Sequence, residues 1–343
     1  MIIKAYVIFL LLIILHSCSM DQEIESIEFP KTIKLFAKEI IIEDIYMKYP
    51  YRIRYNNPYL YVLDLHPTEY YCHQIDYTSM KYSQGFAKRS EAPNEFLNVE
   101  NIRIDKKSAP WILDADKMKI VEYDSLHLDT STSTINLDKK LVRSLDFEIL
   151  NDSTFIVPDY TGENRLCFIN HKGKIVKKSF KIPFKKKERN ITNIVIAQAW
   201  RSFLSYNPKS GILAMATQLG QVIEIYDITN DSIINIIQNE KLEPQFIVKD
   251  NYAIPTGIMG YSDIYVGYKN IYAIFWGHSF NDIKKGKIEK EGGCYIHVFD
   301  LHGKPIVKYE LDRYITGFYV DENNKAIIAL DVNSNRPIIE YPY

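Results

Sequence analysis

Cysteine is scarce in this chain: four in 343 residues, with no two in a CxxC spacing. That excludes a dense disulfide framework. Charge of one sign is also missing, since 42 Lys and Arg face 43 Asp and Glu, and this balance argues against a general nucleic-acid binder. The sequence contains no HExxH, GxSxG, P-loop, GxGxxG or EF-hand loop. No motif therefore fixes a nucleophile, nucleotide or metal, and no catalytic residue, metal or cofactor is assigned. The N-terminal apolar run, residues 5–15, has 11 residues, short of the roughly 17–25 that span a bilayer.

That short run sits behind Lys4 and reads as a secretory signal over residues 1–17. It ends in Leu15-His16-Ser17-Cys18. The tetrapeptide resembles a bacterial lipobox, with His16 departing from the usual small residue at the most permissive position. The resemblance implies a mature chain that starts at a lipidated Cys18. Acyl chains contribute about 0.8 kcal/mol per buried CH₂ and anchor a protein without any spanning helix. Residues 18–30 then form a tether in which Asp21, Glu23 and Glu25 are acidic. It is similar to the tether of Bacteroidetes-type lipoproteins sent to the outer membrane, so the expected location is that membrane, on its periplasmic or cell-surface face. Cys72, Cys167 and Cys294 remain, each inside an apolar strand-like segment, and read as small buried apolar residues.

What the sequence has is alternation. Hydrophobic residues make up 46% of the chain, and its 26 tyrosines lie mostly in runs that alternate with Ile, Val and Leu, as half-buried strands do. One hairpin pattern occurs six times, turning at Asn56-Asn57, Lys106-Lys107, Asn151-Asp152, 207–211, Lys269-Asn270 and Asn323-Asn324. Turns rich in Asn, Asp and Gly suit tight hairpins, and repetition at about 40–50 residues marks a β-propeller. After five of these hairpins comes a strand ending on Asp76, Asp124, Asn170, Asp227 or Asp300, and these side chains are expected to cap the following turn. A fourth strand follows each, the weakest candidate being 131–137. The sixth unit lacks one. The run TIKLFAKEIIIE, residues 32–43, is the expected donor, closing the ring by joining the N-terminal strand to the C-terminal blade. The fold expected is all-β, one six-bladed propeller over residues 31–343.

The lipobox, the run YIHVFDLHGKPIVKYELDRYITGFYVDENNKAIIAL and the connector SQGFAKRSEAPNEFLN together resemble the TolB-like six-bladed propeller lipoproteins of Bacteroidetes. In the connector Gly85, Pro93, Glu95 and Phe96 match, whereas Arg89, Ser90 and Ala92 replace glycines. The resemblance implies a secreted, anchored propeller and carries over no catalytic residue. Four residues are candidates for a binding rim, since aromatic faces beside Arg and His suit recognition: Trp200, Arg201, Trp276 and His278. The polar insertion 278–293 is the expected rim loop. Lys185, Lys186, Lys187 and Arg189, in KKSFKIPFKKKER, are candidates for an anionic partner. The functional expectation is a monomeric binding or scaffold module, held at the membrane by lipid and facing a protein or glycan. A hydrolase or lyase acting on a glycan or lactone in the central channel is the alternative.

Overall fold

The computed structural model describes residues 27–43, 45–184, 191–238, 241 and 243–343. They form six antiparallel blades. Blades 1 to 4 are four-stranded sheets within residues 50–88, 99–136, 148–179 and 202–237, and blades 5 and 6 lie within 261–315 and 317–342. All six expected inner hairpins are present, and the weakest fourth strand is real, running Ser131–Asn136 against the third strand of blade 2. The five expected caps also form. Asp76 accepts from the amides of Thr78 and Ser79, and Asp300 from those of His302 and Lys304; Asp124, Asn170 and Asp227 act likewise.

Alternation along each strand places successive side chains on opposite faces, so every blade feeds two seams. Tyr61 and Leu63 enter the seam between blades 1 and 2, while Leu60 and Val62 enter the one between blades 6 and 1. Phe155 and Val157 face blade 2, and Ile156 faces blade 4. Cys72 and Cys167 are buried in two of these seams with free thiols, and Cys294 is half-buried and also free. Each fully buried aliphatic side chain contributes about 1.5–3 kcal/mol, which makes the seams the main apolar stabilisation of the ring.

The N-terminal run closes the ring, but it is divided between two blades. Lys38–Glu39 pairs antiparallel with Ile338–Pro342 and supplies the missing strand of blade 6. Thr32–Leu35 adds a fifth strand to blade 5 instead, parallel to Pro305–Ile315. Ile27 and Phe29 lead into it through the seam of blades 4 and 5, where the Phe29 ring lies 4.7 Å from that of His297. A further departure from the repeat is the hairpin Phe246–Lys249/Tyr252–Pro255, inserted between blades 4 and 5. It packs on a short helix, α1 (Asn193–Ala199), which is capped by Thr192 Oγ1 accepting from the Val195 amide.

Removing residues 27–42 leaves the outer strands of blades 5 and 6 as open edges, and open edges associate. The truncated protein is expected to melt at lower temperature than the intact chain and to elute at increasing apparent size as its concentration rises, measured by thermal unfolding and size-exclusion chromatography.

Candidate functional site at the channel mouth

The inner strands line the central channel with alternate residues, and in blade 1 the sequence YRIRY therefore sends Arg52 and Arg54 to the axis. Arg52 Nε and Arg54 Nη1 lie 3.7 and 3.5 Å from the two oxygens of Asp263 in blade 5. Asp263 also accepts from the amides of Ile264, at 3.0 Å, and Phe318, in blade 6, at 3.4 Å. Asp146 does the same on the other side of the ring. It accepts from Arg103 Nη2 at 2.9 Å and Asn101 Nδ2 at 2.5 Å, both in blade 2, and from the amides of Phe147 at 2.7 Å and Leu204, in blade 4, at 2.8 Å. Two further links complete the circuit: Arg54 Nη2 to Asn101 Oδ1 at 3.5 Å, and the Val266 amide to Ser205 Oγ at 2.9 Å. The interior of the channel is thus filled by charges of opposite sign, Arg52 Nε being held only through its 3.7 Å ion pair.

Glu148, two residues after Asp146, completes this core by pairing with Arg103 Nε at 2.9 Å. Burial pushes its carboxyl up to about 7, against the pull of Arg103. Glu148 also floors a cavity of about 310 Å³ between blades 2 and 3, walled by Trp111, Phe155 and Tyr206 and rimmed by the Lys106–Asp152 ion pair. This cavity opens at the end of the ring where the inner hairpins turn.

A smaller cavity, about 60 Å³, occupies the opposite end, where the inner strands begin. This is the channel mouth. Its chemistry comes from Tyr51, Glu100, Tyr160, Arg201 and Gln218, with Phe203 alongside. Arg201 follows Trp200, the C-cap of α1, and its carbonyl accepts from the Gln218 amide at 2.8 Å. Its guanidinium makes no hydrogen bond and no ion pair among the described residues. Tyr160 is held by the turn that Asp159 caps, through the Thr161 amide at 3.0 Å. The Tyr160 hydroxyl and Gln218 Oε1 are buried with no hydrogen-bond partner. Burial raises the titration of both Tyr160 and Glu100, although Arg143 Nη2 stands 3.2 Å from Glu100. Among the described residues no group of three His, Cys, Asp or Glu side chains is placed to hold a metal.

The four rim candidates are placed differently from one another. Arg201 lines the mouth. Trp200 is wholly buried beside Ile196 and Val222, under the inserted hairpin, and presents no face to a ligand. Trp276 is half-buried against the seam of blades 5 and 6. His278 stacks on Tyr314, rings 6.2 Å apart, and burial lowers its titration. Backbone hydrogen bonds join Trp276 to Gly260, Gly260 to Gln218 and Gln218 to Arg201, so Trp276 and Arg201 belong to one rim, yet only Arg201 reaches the cavity. The insertion 278–293 carries the helix α2 (Phe280–Lys284) and crosses to blades 6 and 1, where Glu291 meets Asn333 and Tyr49. Lys185, Lys186, Lys187, Arg189 and Cys18 lie outside the described residues. Of the same basic run, Lys177 pairs with Asp231 and Lys178 with Asp159 and Glu163.

The residues that sequence reasoning passed over are those of the channel itself. A signal was available: Asn101-Ile102, Asp146-Phe147 and Asp263-Ile264 each set an Asx before an apolar residue near an inner-strand start. In all three the side-chain oxygen accepts from the next amide.

Fold and site define a six-bladed propeller with a plugged channel and a polar mouth. The chain belongs to the TolB-like 6-blade propeller-like family, whose model matches residues 28–323. It is similar in structure to a member of the DUF4221 family from Bacteroides vulgatus, at 13% identity and TM-score 0.61, over 92% of this chain and 97% of that one. A putative exported protein from Bacteroides fragilis is similar at 10% identity and TM-score 0.51, over 91% and 97%. No curated protein matches the sequence.

Two outcomes are expected. Asp263→Ala leaves two buried guanidinium groups without their anion and costs about 3–5 kcal/mol, read from urea unfolding. Glu148 has a folded value raised above its unfolded one, so its contribution is complete below about pH 4.5 and is lost as pH rises through about 7. Wild type therefore loses stability relative to Glu148→Gln across that window, by at most about 3 kcal/mol, measured by unfolding at a series of pH values.

Proposed function

We propose that this protein is a binding module of the cell envelope, exported by residues 1–17, anchored through lipid on Cys18, and presenting its channel mouth to a glycan or protein partner. The observation that supports this reading most is a contrast. Inside the channel Arg52 and Arg54 are paired with Asp263 and Arg103 with Asp146 and Glu148, whereas at the mouth the Arg201 guanidinium, the Tyr160 hydroxyl and Gln218 Oε1 have no hydrogen-bond partner among the described residues. Buried polar groups are normally hydrogen-bonded, so their grouping around one cavity fits a surface completed from outside. A reaction centred in the channel would first have to break the Arg103–Asp146 and Arg52–Asp263 contacts. The outer membrane is the proposed location, with the domain on its periplasmic or external side, reached by the tether of residues 18–30.

The test uses the full chain in intact cells. Benzoylphenylalanine in place of Leu145, which lines the mouth, is expected to give a discrete crosslinked adduct that disappears in the Arg201→Gln background. The same probe in place of Lys106, at the far end of the ring, is expected to give none. Cys18→Ala is expected to move the protein from the membrane pellet to the soluble fraction. Absence of any adduct at Leu145, or an unchanged membrane pellet in Cys18→Ala, would contradict the corresponding half of the proposal.

A further inference from the structure

The mouth has a chemical preference of its own. Its cavity of about 60 Å³ exceeds the roughly 10–15 Å³ that a single water needs and has room for a few of them. That admits a headgroup of a few heavy atoms and leaves the body of a ligand on the rim. Of the groups that line it without a hydrogen-bond partner among the described residues, the Arg201 guanidinium and the Tyr160 hydroxyl are donors and Gln218 Oε1 is an acceptor. Arg201 offers a planar guanidinium that no described side chain pairs, although Glu100 across the cavity feels its charge. The Tyr160 hydroxyl is buried without a partner and, because burial disfavours its ionised form, keeps its proton. Beneath them Arg52 lies 3.7 Å from the Tyr51 ring and 4.7 Å from the Phe203 ring, its Nε unbonded and its ion pair to Asp263 longer than a hydrogen bond. The one acid at the cavity, Glu100, makes its ion pair with Arg143, at 3.2 Å, rather than with Arg201, whose charge also reaches it. Planar bidentate recognition by Arg, supported by a hydroxyl donor, is the arrangement that suits a carboxylate.

We infer that the channel mouth is a carboxylate-binding subsite in which Arg201 and Tyr160 hold the acid headgroup of a ligand whose remainder lies across the rim. The inference rests on the binding-module reading above and narrows it. Two sources share this headgroup, a uronic acid of a glycan and the C-terminus of a peptide. The neutral sugar ring is not what the site selects, since it would leave the guanidinium without an ion pair.

Isothermal titration of the intact folded chain with sodium glucuronate tests this, with glucose and sodium chloride as controls and N-acetylalanine as the peptide-like acid. Saturable binding of one glucuronate or N-acetylalanine per chain is expected, without binding of glucose; the acid bound more tightly names the source. Arg201→Gln is expected to weaken the binding by about tenfold or more, and Tyr160→Phe by a few-fold, as loss of a charge-assisted and of a neutral hydrogen bond. Arg201→Lys is expected to fall between wild type and Arg201→Gln, which a merely structural role would not produce. Lys106→Ala, at the other end of the ring, is expected to bind as wild type does. No saturation by either acid up to about 30 mM, equal binding of glucose, or full binding by Arg201→Gln would overturn the inference. If neither acid binds while the Leu145 adduct persists, the carboxylate preference alone falls and the binding-module reading stands. If an acid binds and no adduct forms, the carboxylate subsite stands and the macromolecular partner proposed for the mouth falls.

Discussion

Two buried aspartates hold this ring together. Asp146 gathers blades 2, 3 and 4 around one carboxylate, and Asp263 gathers blades 5, 6 and 1 around another. Seams of interdigitated Ile, Val, Leu and aromatic side chains provide most of the apolar burial, but apolar contact is non-directional and does not set how one blade is placed along its neighbour. A carboxylate that accepts from the backbone of two inner strands and from an arginine of a third does set it. Buried ion pairs contribute little net stability, because desolvation offsets their attraction, yet removal of one partner is costly. Here they fix the register of the propeller.

This arrangement separates the axis of the molecule into three zones. The middle is filled by ion pairs between Arg52, Arg54, Arg103 and the two aspartates. One end, between blades 2 and 3, is a cavity floored by Glu148, whose raised titration follows from the same burial that closes the middle. The other end is the mouth, where the Tyr160 hydroxyl and Gln218 Oε1 remain without partners among the described residues. Loops at the mouth are tied to each other by backbone hydrogen bonds running from Arg201 through Gln218 and Gly260 to Trp276. The approach is close: a Cβ on Gly260 would lie 1.7 Å from the Gly220 carbonyl oxygen. The recognition surface is therefore supported from below by the aspartate network and laterally by its own backbone.

The fold was legible because its signals are local. Six hairpins, five of them turning at Asn, Asp or Gly, and five third-strand Asx residues that cap the next turn, can be read within about fifteen residues each. What was not legible depends on partners distant in the chain. Residues 32–43 form one apolar alternating run, and nothing in them says that Thr32–Leu35 joins blade 5 while Lys38–Glu39 joins blade 6. The inserted hairpin Phe246–Pro255 appeared only as an enlarged spacing between the fourth and fifth units. At the mouth, Arg201 was legible as a polar neighbour of an aromatic, but Trp200 looked equally suited and is core. Tyr160 and Glu100 gave no sign at all, since their role comes from the meeting of blades 2, 3 and 4 at one point.

The measurement that bears most directly on the closed channel is hydrogen exchange of four backbone amides, those of Phe147, Leu204, Ile264 and Phe318, all donated to Asp146 or Asp263. If the two carboxylates lock the ring, these amides exchange only with global unfolding, and more slowly than the amides of Thr161 and Asn164 in the loop beside Tyr160. Exchange of the four at the rate of those loop amides would show an open, hydrated channel, and would contradict the account.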